Sequence, residues 1–174
     1  MTDTGTKSVP AAEKAAQALE EAVHKEGKYL TFVLCEEEYG LEILKVREIM
    51  GLLDVTPVPQ TPAFVKGVIN LRGKVIPVVD LRLKFGMPEV EYTKETCIIV
   101  VDVGALLMGI IVDTVSEVIE IKEEEIEPAP SFGEKVDVKF ILGMGKIKGK
   151  VKILLDIDRV LSSEELSAVE KAAD

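Results

Sequence analysis

The chain has 174 residues, 47% hydrophobic and 30% charged, with a net charge of −10. That length fits one compact domain or two small ones sharing a core. The excess of acid excludes nucleic acid and anionic membrane surfaces as natural partners, because neutralising phosphates needs clustered Lys and Arg.

The first ten residues are polar. "AAEKAAQALEEAVHKEG" (11–27) is rich in helix formers and ends at Gly27. Its thin apolar stripe of Ala15, Leu19, Ala22 and Val23 predicts a marginal helix. The opening residues lack the basic-then-apolar order of a signal peptide, so a cytoplasmic protein is expected. From residue 28 the pattern is β: "YLTFVL", "FVKGVINL", "KVIPVVDL", "TCIIVVDV", "LLMGIIVD", "EVIEI", "KFILGMGKI" and "KVKILLDI" recur between turn residues. Many short strands with few helices predict small barrels or a sandwich. None of these runs approaches the roughly 18–20 apolar residues of a membrane-spanning helix. One helical insert is predicted at "TPAFVKG", with Thr61 as N-cap and Pro62 at the first helical position. At the other end Ser162 and Glu165 spell a capping box that opens a helix over 162–174.

Residues that carry chemistry are scarce. Cys35 and Cys97 lie in apolar segments with no metal spacing and read as small, reduced core residues. The single His24 precedes the β pattern, and no phosphate-loop, dinucleotide or zinc-protease motif is present. "KEEEIE" (122–127) reads as a solvated charge run. No catalytic residues, metal site or cofactor are expected.

The chain repeats itself. "YGLEILKVREIM" (39–50) aligns with "MGIIVDTVSEVI" (108–119) at an offset of 69, and "GVINLRGKVIPVVDL" (67–81) with "GMGKIKGKVKILLDI" (143–157) at 76. The seven extra residues of the second copy fall in the acidic stretch 120–135. Two β units are expected, about 28–95 and 96–161, after an extension over 1–27. Each is too small to bury much surface alone, so they should share an apolar interface. Which strands belong to which unit is left open, since duplicated barrels can exchange strands.

Two constellations stand out against this background. "NLRGKV" and its copy "KIKGKV" put a basic residue before Gly at a strand reversal. Arg72 is either a solvent-exposed hairpin tip or a docking point; Asn70 lies on the same strand face and can brace the turn. In "EILKVREIM", apolar residues 43, 46 and 49 step by three, predicting a tight helical turn between two strands. Val46 is then either core or the margin of an apolar groove, and Glu48 either a solvated carboxylate or the charge that sets a partner's register.

With these segments in view the chain resembles the CheW family of bacterial chemotaxis coupling proteins. "YGLEILKVREI", "TPVPQTPAFVKGVINLRGKVIPVVDLRLKFG", "IIVVDVGALLMGIIVDTVSEVIEI" and "ILLDIDRVLSSEE" carry the likeness from about Lys28 to Leu166. The resemblance implies a mostly β fold of two five-stranded SH3-like barrels on a common hydrophobic core. It also implies a non-enzymatic adaptor without cofactor. Such an adaptor joins the cytoplasmic tip of methyl-accepting chemoreceptors to the regulatory domain of the histidine kinase CheA, within membrane-bound arrays that can include rings of adaptor copies. Carried over residue by residue, receptor engagement falls on Val46, Glu48 and Arg72, with Lys66 and Gly67 of "FVKG" beside them. Kinase contacts are expected at barrel ends, with no residue assigned. A chain ending after one short helix leaves no room for the receiver domain of the related CheV type. A small-ligand sensor using the crevice between barrels is the alternative reading, and a hydrolase built on paired carboxylates a distant third.

Overall fold

A computed structural model describes residues 27–128 and 140–173. The predicted N-terminal helix lies almost wholly outside the described residues. Within them eleven strands form two sheets. The first half of the chain contributes the hairpin β1 (Lys28–Leu34) and β2 (Glu37–Glu42), then β3 (Val46–Gly51), β4 (Val65–Leu71) and β5 (Lys74–Asp80), and a single helical turn α1 (Leu81–Lys84). The second half repeats this order as the hairpin β6 (Cys97–Val103) and β7 (Leu106–Val112), then β8 (Thr114–Glu120), β10 (Ile141–Ile147), β11 (Lys150–Leu155) and α2 (Ile157–Val160). The two-residue strand β9 (Ile126–Glu127) lies in the acidic insertion, and α3 (Ser163–Ala173) ends the fold. The capping box is in place: Ser162 N–H donates to Glu165 Oε1 at 2.8 Å, and Glu165 N–H to Ser162 Oγ at 3.1 Å.

Neither half closes a sheet on its own. One sheet runs β8-β1-β2-β11-β10-β9, the other β3-β6-β7-β5-β4. Each thus combines the opening hairpin of one half with the later strands of the other. The connections dictate this exchange. β2 and β8 both run antiparallel to β1 and to its two sides, so a self-closed half would need β3 in the place of β8, parallel to β2. The chain leaving Glu42 would then have to return a strand's length, roughly 20 Å, before starting β3. The three residues Ile43–Lys45 that link β2 to β3 reach only about 14 Å. Between β7 and β8 there is Asp113 alone.

Three apolar clusters follow from the strand alternation. On β6, Cys97, Ile99, Val101 and Val103 face the shared core between the sheets, while Ile98 and Val100 face the interior of the first barrel with Ile69, Ile76, Val78 and Ile111. A strand buried on both faces reads as an unbroken apolar run, which is why "CIIVV" lacks alternation. Tyr29, Ile121 and Leu154 fill the smaller interior of the second barrel. The fold is mostly β: two SH3-like barrel subdomains on one hydrophobic core.

Two local expectations are corrected. "TPAFVKG" does not form a helix: Val65 N–H closes a turn on Pro62 O at 3.0 Å, Thr61 Oγ1 donates to Val58 O at 2.9 Å, and β4 starts at Val65. Too few residues separate Pro62 from the strand, and Gly67 is needed for a close backbone approach described below. Cys35 is not core. It sits exposed in the β1–β2 turn, where Cys35 and Glu36 both take positive φ, +52° and +67°. Cys97 is buried, and burial pushes its thiol up to about 11.

Candidate functional site

The β2–β3 passage carries both of its apolar spacings by different means. The step from Ile43 to Val46 is the expected tight turn, a 3-10 turn over Ile43–Lys45. The step from Val46 to Ile49 comes from a β-bulge: Val46 pairs with Val101 and Glu48 with Val100, leaving Arg47 as the extra residue. Residues two apart on a regular strand share a face; the bulge breaks that rule and re-aims the strand. Val46 is therefore buried, 3% exposed, in the shared core, while the Glu48 side chain reaches the surface.

The β4–β5 hairpin turns on Arg72 and Gly73, with φ of +52° and +86°. Two consecutive positive φ values define the type I′ turn that matches strand twist. Asn70 braces it as expected, its Oδ1 accepting from Gly73 N–H at 2.8 Å. The turn delivers the Arg72 guanidinium to Glu48 as a fork, Nη2 to Oε1 at 2.6 Å and Nη1 to Oε2 at 3.2 Å. Glu48 raises the Arg72 pKa further above its ordinary value, through these hydrogen bonds first and its charge second.

The position of this pair matters more than its strength. β3 and β4 are the two ends of the five-strand order β3-β6-β7-β5-β4. The fork therefore ties together the two edges of an open sheet where no backbone ladder does, and it latches the seam of the first barrel. An exposed pair adds little to stability. A planar guanidinium nonetheless fixes direction in a way an ammonium cannot. The repeat makes the contrast. The second hairpin has the same turn at Lys148 and Gly149, φ +53° and +79°, and Glu117 stands where the first copy has Glu48. Yet among the described residues no carboxylate lies within 4 Å of the Lys148 ammonium.

The other two expected residues lie elsewhere. Lys66 and Gly67 open β4, roughly 20 Å along the strand from Arg72. Lys66 Nζ is 3.0 Å from Glu89 and 5.7 Å over the Tyr92 ring, holding down the segment that joins the halves. Tyr92 O–H in turn donates to the buried Asp80 at 2.7 Å, and burial, then that carboxylate, raises the Tyr92 pKa. Gly67 has φ +144°, and a Cβ there would stand 2.0 Å from Thr56 O. It permits the paired hydrogen bonds between Thr56 and Val68 at 2.8 and 2.9 Å.

Sequence reasoning missed one ion pair of comparable geometry. Arg82 forks onto Asp113, Nε and Nη2 each at 2.7 Å from its oxygens, and its Nη1 donates to Pro88 O at 3.1 Å. Asp113 also accepts from Cys35 N–H at 2.9 Å. The only signal was an Asp between two apolar strands, which is also how a plain turn looks. Among the described residues no group of three or more His, Cys, Asp or Glu is arranged to hold a metal ion, and no described helix is long and apolar enough to cross a membrane.

Two barrels with exchanged hairpins and a surface latch over a buried valine define a double-barrel β module. Among the described residues its forked ion pairs tie strands and turns together. The chain belongs to the CheW family: the CheW-like domain model matches residues 28–165. It is 44% identical over 146 residues to the chemotaxis protein CheW of Klebsiella aerogenes, covering 84% of this chain and 88% of that protein. The corresponding figures for the chemotaxis protein CheW of Rhizobium meliloti are 37% over 139 residues, 80% and 90%. The crystal structure of the scaffolding protein TtCheW from Thermoanaerobacter tengcongensis matches with a TM-score of 0.74 at 38% identity, covering 80% of this chain and 95% of that one.

Proposed function

We propose that this protein is a non-enzymatic chemotaxis adaptor that binds two neighbours at once, the helical cytoplasmic tip of a transmembrane chemoreceptor and the barrels of the kinase CheA's regulatory domain. It would work in the cytoplasm at membrane-bound arrays, where rings of adaptor copies add avidity that single contacts lack. The observation that supports this reading is the forked Glu48–Arg72 latch, held at the surface where β3 and the β4–β5 hairpin meet. A receptor helix lying along that seam would meet a directional guanidinium and carboxylate whose positions are fixed before binding, which lowers the ordering cost. Val46 supports the site from beneath rather than touching the partner, and Lys66 and Gly67 shape the strand that carries the hairpin. Each interface would be of modest size, on the order of 1,000–1,600 Å².

Co-elution of the protein with a receptor tip fragment tests the reading. Arg72→Glu should weaken the complex at least about tenfold, with circular dichroism and melting temperature nearly unchanged, because the latch is exposed. Undiminished binding by that variant would return Arg72 to the role of a turn residue. A pull-down against the regulatory domain of the cognate kinase tests the second contact independently.

A further inference from the structure

The two repeats are not covered alike. α3 lies on β4 and β5, with Val169 fully buried, Leu166 against the same core and Glu165 bridged to Lys84 at 2.8 Å. Among the described residues no helix lies on β10 and β11 in that way. There Met144 pairs with Ile153 and Lys146 with Val151 across the ladder, so the four share one face. Leu142, the extra residue of the bulge between Ile141 and Gly143, stands 40% exposed, and Val151 50% exposed. At the offset of 76, buried Pro77 of the covered repeat corresponds to Ile153, which is partly exposed at the margin of the shared core, and Lys66 to Leu142. The uncovered face is thus the more apolar of the two at these positions.

Its rim is basic in an acidic protein. Lys146 lies on this face and Lys148 in the adjoining turn of a chain whose net charge is −10, whereas Lys150 and Lys152, paired with Ile147 and Gly145, point to the other side of the sheet. Lys152 is buried against Glu38 and Lys146 reaches Glu127 at 2.7 Å. Among the described residues no carboxylate lies within 4 Å of Lys148 or Lys150.

We propose that the β10–β11 face docks an acidic amphipathic helix of another protein, one that carries an apolar pair three residues apart and carboxylates in its first turn. Leu142 and the Lys146–Val151 pair are four residues apart along β10, roughly 13 Å. Two to three turns of helix span that distance, which is the scale on which α3 covers the equivalent face. Carboxylates of such a helix would meet Lys146 on that face and Lys148 at the hairpin tip, and supply the charge that Glu165 gives Lys84. The surface belongs to the second barrel and is distinct from the latched seam of the first.

The probe is a helix-locked synthetic peptide with the sequence of residues 161–174, titrated to millimolar concentration into the isotopically labelled full-length chain. Resonance shifts should concentrate on Leu142, Met144, Val151 and Ile153. A peptide with lysine at both positions corresponding to Glu164 and Glu165 should bind at least about tenfold more weakly. Val151→Glu should abolish the shifts. The paired surface variant Lys146→Glu, Lys148→Glu should reproduce the loss while leaving Leu142, Met144 and Val151 in place, which keeps the test decisive if Val151→Glu fails to fold. Absence of shifts at millimolar peptide, shifts confined to β4 and β5, or equal binding of the lysine peptide would each overturn the proposal. So would a β10–β11 face that becomes exposed to hydrogen exchange only on removal of residues 1–26, since its occupant would then be this chain's own N-terminal segment.

Discussion

Replacing Arg82 by methionine removes a charge from the junction of three segments while keeping the aliphatic stem. Arg82 stands on α1, Asp113 links β7 to β8, and Cys35 N–H comes from the β1–β2 turn, so one carboxylate gathers both halves of the chain. The arginine and aspartate side chains are 13% and 25% exposed. Solvent can therefore reclaim only part of what the fork supplied. Losing three charge-assisted hydrogen bonds, two to the carboxylate and one to Pro88 O, and leaving a half-buried carboxylate with one backbone donor should cost about 2–3 kcal/mol, or roughly 5–10 °C in melting temperature for a fold of this size. The pH dependence separates this cause from lost packing. Burial pushes the Asp113 carboxyl up, but the hydrogen bonds from Arg82 and Cys35, with the guanidinium charge, outweigh it and hold the carboxyl below its ordinary range. A carboxyl whose pKa is lower folded than unfolded gives stability that is full above the unfolded value and fades as pH falls through the folded one. The deficit of Arg82→Met should accordingly be largest near neutrality and shrink below about pH 4. Denaturant unfolding of both proteins at neutral pH and at about pH 3 measures it. A variant melting within about 1 °C of the parent, or a deficit unchanged in acid, would refute the reasoning.

Gly67→Ala should lose about 2 kcal/mol or more, because the new Cβ would stand 2.0 Å from the backbone oxygen of Thr56 at a positive φ; the Thr56 and Val68 amides should lose hydrogen-exchange protection first. Lys152→Met should destabilise the second barrel by about 2–4 kcal/mol in denaturant titration, since it strands Glu38 beside a buried site. Adding Glu38→Leu with Lys152→Ile, the residues that the first barrel carries at the matching positions 107 and 76, should recover stability to within about 1 kcal/mol of the parent. Val46→Ala should cost about 1.5–2.5 kcal/mol by the same titration. That loss is in contrast to the near-neutral melting expected of Arg72→Glu, and it separates the support beneath the latch from the latch itself.

Alternation, turn residues and the internal repeat made the strands legible, because each is a local consequence of which face is buried. Asn70 and Arg72 were legible for the same reason: an Asx brace followed by a basic residue and Gly is a complete hairpin instruction within four positions. What local pattern could not express is where edges meet. Glu48 and Arg72 are 24 residues apart, and nothing in either segment says that the barrel closes between them. The step of three from Val46 to Ile49 shows how one spacing serves two causes, since a bulge and a helical turn both advance the apolar face by an odd residue. Thr61 and Pro62 carried a true helix-start signal that the next few residues overrode. Cys35 was misplaced because an apolar run does not announce which of its residues is the first to turn.

Exchange of hairpins gives the candidate site a dependence that its own residues do not display. Glu48 and Arg72 both come from the first half of the chain, yet the strands that separate β3 from β5 in their sheet, β6 and β7, come from the second. The gap the latch must span is therefore set by how that foreign hairpin seats. Two pins hold the seating: Arg82 on α1 reaches Asp113 at the end of β7, and Asp158 on α2, its repeat equivalent, reaches Lys45 in the turn before β3 at 2.7 Å. Both bridge the halves, and their charges are reversed. Connections of three residues and one residue forbid either hairpin from returning to its own half, so the two barrels can only form together. A displacement of β6 and β7, such as one driven by a ligand on the second barrel, would reach the Glu48–Arg72 seam through two ladders of backbone hydrogen bonds, without any contact to either side chain.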